Sequence, residues 1–172
     1  MEFADFAVEI EKVLADLTTQ YECATTDEDD IGMLWNFIYE DTVEGFILVE
    51  KDAPPFQIPT ITITLHLGEV NGAPEEFLKY ILGMNMVLIN ATLAIISTPS
   101  LPNGEQEEND DVDEDDEETE NESTGFVDEL AISTKMPYEA FTPEELADYL
   151  NLLVAQSDFV MDALEEFNKE ME

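Results

Sequence analysis

The most apolar continuous stretch of the chain runs from Pro74 to Ser97, near its middle. Its first half repeats apolar residues every three or four positions, which predicts a helix, and Thr92 to Ile96 in its second half is typical of a short buried strand. Asn90 and Ala91 are the predicted joint between the two. The apolar part is shorter than the roughly 20 residues that a membrane-spanning helix needs. The pattern therefore predicts a core helix that leads directly into a core strand.

Before this stretch, the pattern changes from helical to strand spacing. Residues 3–21 carry apolar side chains on one helical face and predict an amphipathic first helix, which a polar, acidic linker at 25–30 follows. Three antiparallel strands come next: an aromatic strand at 33–39, its hairpin partner at 43–49, and a third strand at 60–67. The third strand alternates most clearly, with apolar residues on one face and three threonines and His66 on the other. That alternation predicts a sheet with one face in solvent.

After this stretch, one more strand and a long helix complete the predicted elements. Phe126 to Met136 resumes the apolar alternation of a strand. Thr142-Pro-Glu-Glu145 has the sequence of a capping box, in which Thr142 is the N-cap and Glu145 reaches back to it. The helix that starts there should run roughly from Pro143 to Asn168, with one apolar face.

An acidic segment separates the last two predicted strands. Of the residues from Glu105 to Glu122, 13 are acidic and none is a lysine. Such a run repels itself and buries too little apolar area to become ordered. We therefore predict a single α+β domain over residues 1–172, with a disordered acidic insert at 98–125. Its elements follow the order αβββαββα, with about five strands in an antiparallel sheet and N-terminal, central and C-terminal helices.

The charge of the chain narrows the classes of function. There are 43 acidic residues against 5 basic ones, and the formal net charge is -38. Affinity for nucleic acid rests on clustered basic residues that neutralise phosphates, and anionic membranes repel an acidic surface, so we expect neither as a partner. The start of the chain lacks the features of a signal peptide, and Cys23 is the single cysteine. Both observations favour a cytoplasmic location.

Few residues of the sequence are candidates for a catalytic or metal-binding role. His66, the single histidine, lies in no catalytic motif, and imidazole catalysis would need an activated nucleophile within hydrogen-bond reach. Residues 111–122 imitate the spacing of a calcium-binding loop, but the position that requires glycine is Asp116. Cys23 has no CxxC partner, so structural zinc is unsupported. We therefore predict no catalytic site, no metal site and no cofactor, and a function other than that of an enzyme.

The order of elements resembles a known fold. The resemblance is carried by three parts of the sequence: Phe77 to Asn90, Leu130 to Ser133, and Met136-Pro-Tyr138 with the following Phe141-Thr-Pro-Glu-Glu-Leu146. The chain resembles the type III secretion chaperone fold (CesT-like) and the related bacterial YbjN-like family over nearly its whole length apart from the insert. This resemblance implies a small acidic cytoplasmic protein that binds a protein partner without catalysis and forms a homodimer.

The resemblance also implies two sets of contact residues. The candidates for a client-binding sheet face are Trp35, Phe37 and Phe46. Core burial is the favoured alternative for these aromatic residues, because few others could cover the helices. The candidates for a dimer interface are Ile81, Met84, Asn85 and Leu88. For two of these, Ile81 and Leu88, packing against the sheet of their own subunit is an equal alternative.

Four hypotheses about function remain open at this point. The leading one is a non-enzymatic binding module, chaperone-like or regulatory, that holds a segment of a partner protein. In the second, Glu105 to Glu122 captures basic proteins or mimics nucleic acid, and high salt would then weaken binding. The third is an enzyme that uses His66 or a carboxylate pair in a pocket. In the fourth, the acidity suits a salt-rich cytoplasm, and stability would depend on salt.

Overall fold

A computed structural model describes residues 3–25, 32–53, 58–99 and 126–171 of the chain. The helices are α1 (Phe3–Leu17), α2 (Glu75–Met84) and α3 (Pro143–Met171), and a short 3-10 helix, η1 (Tyr138–Ala140), precedes α3. The strands are β1 (Gln20–Thr25), β2 (Gly32–Tyr39), β3 (Val43–Ala53), β4 (Ile58–Glu69), β5 (Thr92–Pro99) and β6 (Phe126–Pro137). From residue 100 onwards, the predicted acidic insert lies outside the described residues.

The six strands form one antiparallel sheet in the order β1-β2-β3-β4-β6-β5. The chain leaves β4 through α2, adds β5 at the edge of the sheet, and returns so that β6 lies between β4 and β5. The predicted α+β class, the antiparallel sheet and the three helices are confirmed. The sheet has six strands because a strand, β1, also lies between the first helix and the predicted aromatic strand.

The residues of β1 fit both a helical period and a strand period, so the sequence pattern alone does not identify this strand. Tyr21 follows Leu17 by four positions and continues the apolar stripe of α1. The helix nevertheless ends at Leu17, and the backbone N–H of Thr19 donates to the carbonyl of Ile38 in β2 at 2.9 Å. From Gln20 onwards the chain pairs with β2 residue by residue. Pairing with a neighbouring strand thus overrides the local helical pattern.

α2 is shorter than the apolar pattern predicts, and the connection to β5 runs from Asn85 to Ala91 and not only through the predicted joint at Asn90 and Ala91. The helix ends at Met84, and turn-like hydrogen bonds follow, including one from the N–H of Val87 to the carbonyl of Met84 at 3.0 Å. Asn90 has a left-handed backbone conformation, with φ of 53°, and its carbonyl accepts a hydrogen bond from Thr134 Oγ1 at 2.5 Å. The strand then begins at Thr92, as predicted.

The core lies between the helices and one face of the sheet. A single cluster of buried apolar residues includes side chains from α1, α2, α3 and strands β2 to β6. Its largest fully buried members are Trp35, Ile10, Leu14, Ile47, Ile61, Ile63, Leu65, Leu130, Ile132, Met136 and Leu146. Burying each such side chain stabilises the fold by roughly 1.5–3 kcal/mol, so this layer supplies most of the driving force for folding.

The start of α3 follows the predicted capping box with one difference. The backbone N–H of Glu145 donates to Thr142 Oγ1 at 3.1 Å, which makes Thr142 the N-cap of a helix that begins at Pro143. The Glu145 carboxylate accepts a hydrogen bond from the same hydroxyl at 3.2 Å. The side chain of Glu145 therefore contacts the cap residue as expected, but through its hydroxyl.

Gly45 permits a close contact between β3 and the Phe37 ring. A Cβ atom at this position would lie 2.8 Å from Phe37 Cζ and 2.5 Å from the carbonyl oxygen of Thr64. Both distances are shorter than van der Waals contact, so any side chain here would displace the ring or the neighbouring strand. Glycine is required by this close approach and not by its backbone angles.

Gly45→Ala should therefore lower the free energy of unfolding by about 1–3 kcal/mol, because the added methyl group overpacks the core. The control is Gly83→Ala, since a Cβ at Gly83 meets no atom within 4 Å and alanine favours the helix by up to about 1 kcal/mol. Urea unfolding followed by circular dichroism measures both variants. Equal stability of Gly45→Ala and the wild type would contradict the packing described for Phe37.

Candidate binding surfaces

The sheet face opposite the core is the first candidate surface. Residues of β2 and β3 that alternate with the core positions point away from the helices, and they include Leu34, Ile38, Phe46 and Leu48. These four side chains are half-buried and none packs against the core cluster. We call the face that carries them the open sheet face. Within the described part of the chain, the helices pack on its opposite side.

Strand register shows which residues are neighbours on the open sheet face. Leu34 is paired with Leu48, which is paired with Thr62. One step along the strands, Asn36 is paired with Phe46, which is paired with Thr64 and then Ser133. The large apolar side chains of these rows thus lie on β2 and β3, whereas the β4 and β6 part of the face is mainly polar. The face of β4 that carries the threonines is also less exposed to water than its polar residues predict.

The threonines of β4 show how far this face is shielded from water. Thr62 is 8 % exposed and Thr64 is 1 % exposed, and strand register places Leu48 and Phe46 of β3 beside them. Thr64 Oγ1 and Ser133 Oγ form a hydrogen bond of 2.9 Å. The buried hydroxyl oxygens of Thr60 and Thr62 have no hydrogen-bond partner among the described residues. Each unsatisfied hydroxyl costs about 1–3 kcal/mol, which a bound donor could offset.

A shallow depression lies at one end of the open sheet face. Its volume is about 210 Å³, and its lining includes Glu22, Asn36, Ile38, Glu44 and His66. Two exposed carboxylates, from Glu22 on β1 and Glu44 on β3, therefore stand at the same site. The depression is smaller than the roughly 300–1,000 Å³ of typical ligand pockets. Its size and charge suit a single cationic side chain better than a small-molecule substrate.

His66 is held by its neighbours at the wall of this depression. Its Nδ1 lies 3.0 Å from Glu129 Oε2, and both side chains are partly exposed. Its ring is also tilted against Phe46, with 5.8 Å between the ring centroids. Among the described residues, no hydroxyl or thiol is hydrogen-bonded to the imidazole, and no group of three or more His, Cys, Asp or Glu side chains could hold a metal ion. The predicted lack of a catalytic role for His66 stays a prediction.

The three predicted client-binding aromatics fall on two different faces. Trp35 is fully buried and Phe37 is 3 % exposed, and both belong to the core under the helices. The core alternative therefore describes these two residues, and they form no surface. Phe46 points to the other side, where it lies in the middle of the open sheet face. The sequence pattern alone could not separate them, because it did not show which face the helices cover.

The second candidate surface lies at the end of α2. Large apolar side chains are exposed there: Leu82 at 67 %, Met86 at 89 %, Val87 at 62 % and Ile89 at 63 %. Gln156 of α3 fixes this turn, because its amide accepts a hydrogen bond from Ile89 N at 2.6 Å and donates one to Ile89 O at 3.1 Å. We call these four apolar residues the α2-turn patch. Sequence periodicity had placed them in the predicted helix or at its end.

The predicted dimer residues lie beside this patch and serve the fold of their own chain. Ile81 and Met84 are 3 % and 6 % exposed and belong to the core. Leu88 is half-buried and packs against the core. The amide of Asn85 accepts a hydrogen bond from the N–H of Leu93 at 2.6 Å and donates one to its carbonyl at 3.2 Å. Accessible apolar surface is instead found in the α2-turn patch.

Cys23 lies on the helix-covered side of β1. Burial raises the pKa of its thiol, and the nearby Glu11 carboxylate of α1 raises it further. A thiol with a raised pKa carries little thiolate at neutral pH, so Cys23 is suited to packing and not to nucleophilic chemistry.

Comparisons with known proteins give no family. No family model matches the chain, and no curated protein matches it. Among the described residues, no helix has the length and hydropathy needed to cross a membrane. The resemblance to secretion chaperones therefore stays a prediction from the sequence.

Asn85→Ala is expected to lower the free energy of unfolding by about 1–3 kcal/mol, because it leaves the backbone groups of Leu93 without their partner. Amide hydrogen exchange should also become faster at the Leu93 N–H. The control is Asn168→Ala, at an exposed position of α3. Urea unfolding and exchange measured by NMR test both effects, and unchanged protection at Leu93 would contradict the role given to Asn85.

Proposed function

We propose that this protein is a non-enzymatic protein-binding module, chaperone-like or regulatory, that holds a segment of a partner protein on the open sheet face. The observation that carries this proposal is the set of four large apolar side chains that pack against no part of the described core. Apolar surface removed from water contributes about 25 cal/mol per Å², so a partner that covers these side chains gains binding energy. The proposed location is cytoplasmic.

The resemblance to secretion chaperones supports this proposal. The expected helices and antiparallel sheet are present, with β1 as an additional strand. Proteins of that fold are expected to hold extended segments on apolar surface, which is the kind of surface that Leu34, Phe46 and Leu48 provide. Fold alone does not determine function, so the half-buried apolar side chains of the open sheet face carry more weight than the order of the elements.

We also propose that the chain forms a homodimer through the α2-turn patch. Four neighbouring large apolar residues, each more than 60 % exposed, are unusual on a monomer surface. Ile95 of the edge strand β5 is a further large apolar residue with an exposed side chain, at 42 %. Two copies can bury this surface without using the open sheet face, which stays available to a partner.

The alternative function is capture of basic proteins, or imitation of nucleic acid, by the acidic run from Glu105 to Glu122. That run lies outside the described residues, so the alternative rests on composition alone. It differs from the proposal in its dependence on salt, since charge capture weakens as ionic strength rises and apolar contacts persist.

Leu34→Ser together with Leu48→Ser should weaken partner binding, because it removes two of the apolar side chains at the centre of the open sheet face. Twelve-residue random peptides can be selected on the wild type, and the enriched peptides should bind the double variant at least about tenfold more weakly, a loss of about 1.4 kcal/mol. Val8→Ser with Met161→Ser, at exposed apolar positions of α1 and α3, is the matched control. Enriched peptides that bind the double variant as well as the wild type would overturn the proposal.

Met86→Glu should convert the proposed dimer to a monomer, because it places a charge in an apolar interface. Light scattering at low and high salt gives the mass, and the wild type should have the mass of two chains in both. Met161→Glu, a similar change at an exposed position of α3, should leave the dimer intact. A wild-type mass of one chain would remove the dimer from the proposal without affecting the open sheet face.

A further inference from the structure

The charges on the open sheet face narrow the choice of partner. The described acidic residues that strand register places on this face are Glu22, Glu44, Glu50, Glu69 and Glu129. The described basic groups there are Lys135 and His66, and His66 is already paired with Glu129. The face therefore combines an apolar centre with a negative margin, and its potential favours a positively charged partner.

A second copy of the chain is a poor occupant for the same reason. Two open sheet faces brought together would place like charges opposite one another, and each chain carries a formal charge of -38. Juxtaposed like charges across an interface cost several kcal/mol. The α2-turn patch is the more suitable surface for self-association, and the open sheet face is left for a different protein.

The depression is the place on the open sheet face where a positively charged side chain of a partner can bind. Glu22 and Glu44 supply two carboxylates, the amide of Asn36 lies between their strands, and Ile38 supplies apolar surface beside them. A Lys or Arg side chain has the matching form, since its aliphatic stem packs on apolar atoms while its charged head meets carboxylates. A volume of about 210 Å³ is enough for one such side chain.

We propose that the partner segment is cationic and amphipathic: its apolar side chains cover Leu34, Phe46 and Leu48, and a Lys or Arg enters the depression between Glu22 and Glu44. This inference rests on the proposed function and adds the chemistry of the partner. Leu34 and Ile38 mark the two ends of the contact on β2, four residues or about 13 Å apart. The cationic residue of the partner should lie at that distance from its apolar anchor.

Three eighteen-residue peptides test this chemistry on the full chain. They have the same amphipathic pattern of leucine and one polar residue type, which is Lys, Ser or Glu. A Lys/Ser peptide of equal charge but without leucine is present in excess, so that it occupies acidic sites that lack an apolar centre. Titration calorimetry at physiological salt gives each Kd. The Leu/Lys peptide should bind one per chain and at least about tenfold more tightly than the Leu/Ser peptide, a difference of about 1.4 kcal/mol.

Two double variants on the open sheet face and one control double variant on α3 locate the binding site. Glu22→Gln with Glu44→Gln should weaken the Leu/Lys peptide about fivefold or more, which is the effect expected from a partly desolvated charge contact. Asp158→Asn with Asp162→Asn changes the net charge equally on exposed positions of α3 and should leave the Kd within about twofold. Leu34→Ser with Leu48→Ser should weaken the same peptide strongly.

The possible outcomes separate this inference from the proposed function. If the Leu/Ser or Leu/Glu peptide binds as tightly as the Leu/Lys peptide and all lose affinity in the Leu34/Leu48 variant, the face binds partners but not through cations. The inference then fails and the proposed function stands. If the Leu/Lys peptide binds equally to the wild type and both face variants, or does not bind, the inference also fails. The proposed function is then decided by the peptide selection alone.

Discussion

The structure depends on one constraint: a six-stranded sheet has two faces, and the three described helices pack on one of them. The buried residues of α1, α2 and α3 meet alternate positions of β2 to β6, and those positions are almost all large and apolar. The intervening positions carry leucines and an aromatic ring on β2 and β3 but threonines on β4. A sheet that is covered on one side can leave its other side to solvent or to a partner. The apolar residues on β2 and β3 favour the partner.

The outer edge of the sheet, at β5, is protected by a side-chain amide. Leu93 directs its backbone N–H and carbonyl away from β6, and the Asn85 amide satisfies both groups as a neighbouring strand would. Since backbone groups of alternate residues point to the same side of a strand, those of Ile95 point outward as well. One side chain therefore protects the start of this edge and also fixes the end of α2, after which Met86, Val87 and Ile89 of the α2-turn patch are exposed. Edge protection and the α2-turn patch have a common structural origin.

Local pattern predicted most of the fold, and long-range pairing decided the rest. The alternation in β4, the hairpin of β2 and β3, the start of β5 and the cap of α3 agree with the sequence pattern, because each depends on residues close in sequence. β1 was not predicted, since Tyr21 fits both a helical and a strand period until the pairing partner is known. The binding surfaces also depend on pairing and packing, which the sequence pattern alone does not show. The sequence pattern groups Trp35 and Phe46 on one sheet face, and only the pairing of β2 with β3 and the packing of the helices show that Trp35 is covered and Phe46 is not.

The acidity of the chain and its uncovered surfaces are physically connected. An open sheet face with apolar residues and an edge strand with outward backbone groups would both promote association between identical chains. A net charge of -38 opposes association wherever two copies must approach with their acidic margins together, and it does so more weakly at a local apolar patch such as the α2 turn. The same charge attracts a segment with basic residues. In the proposed function, negative charge around an apolar centre discriminates between partners, because it disfavours self-pairing at the face where it favours a cationic protein.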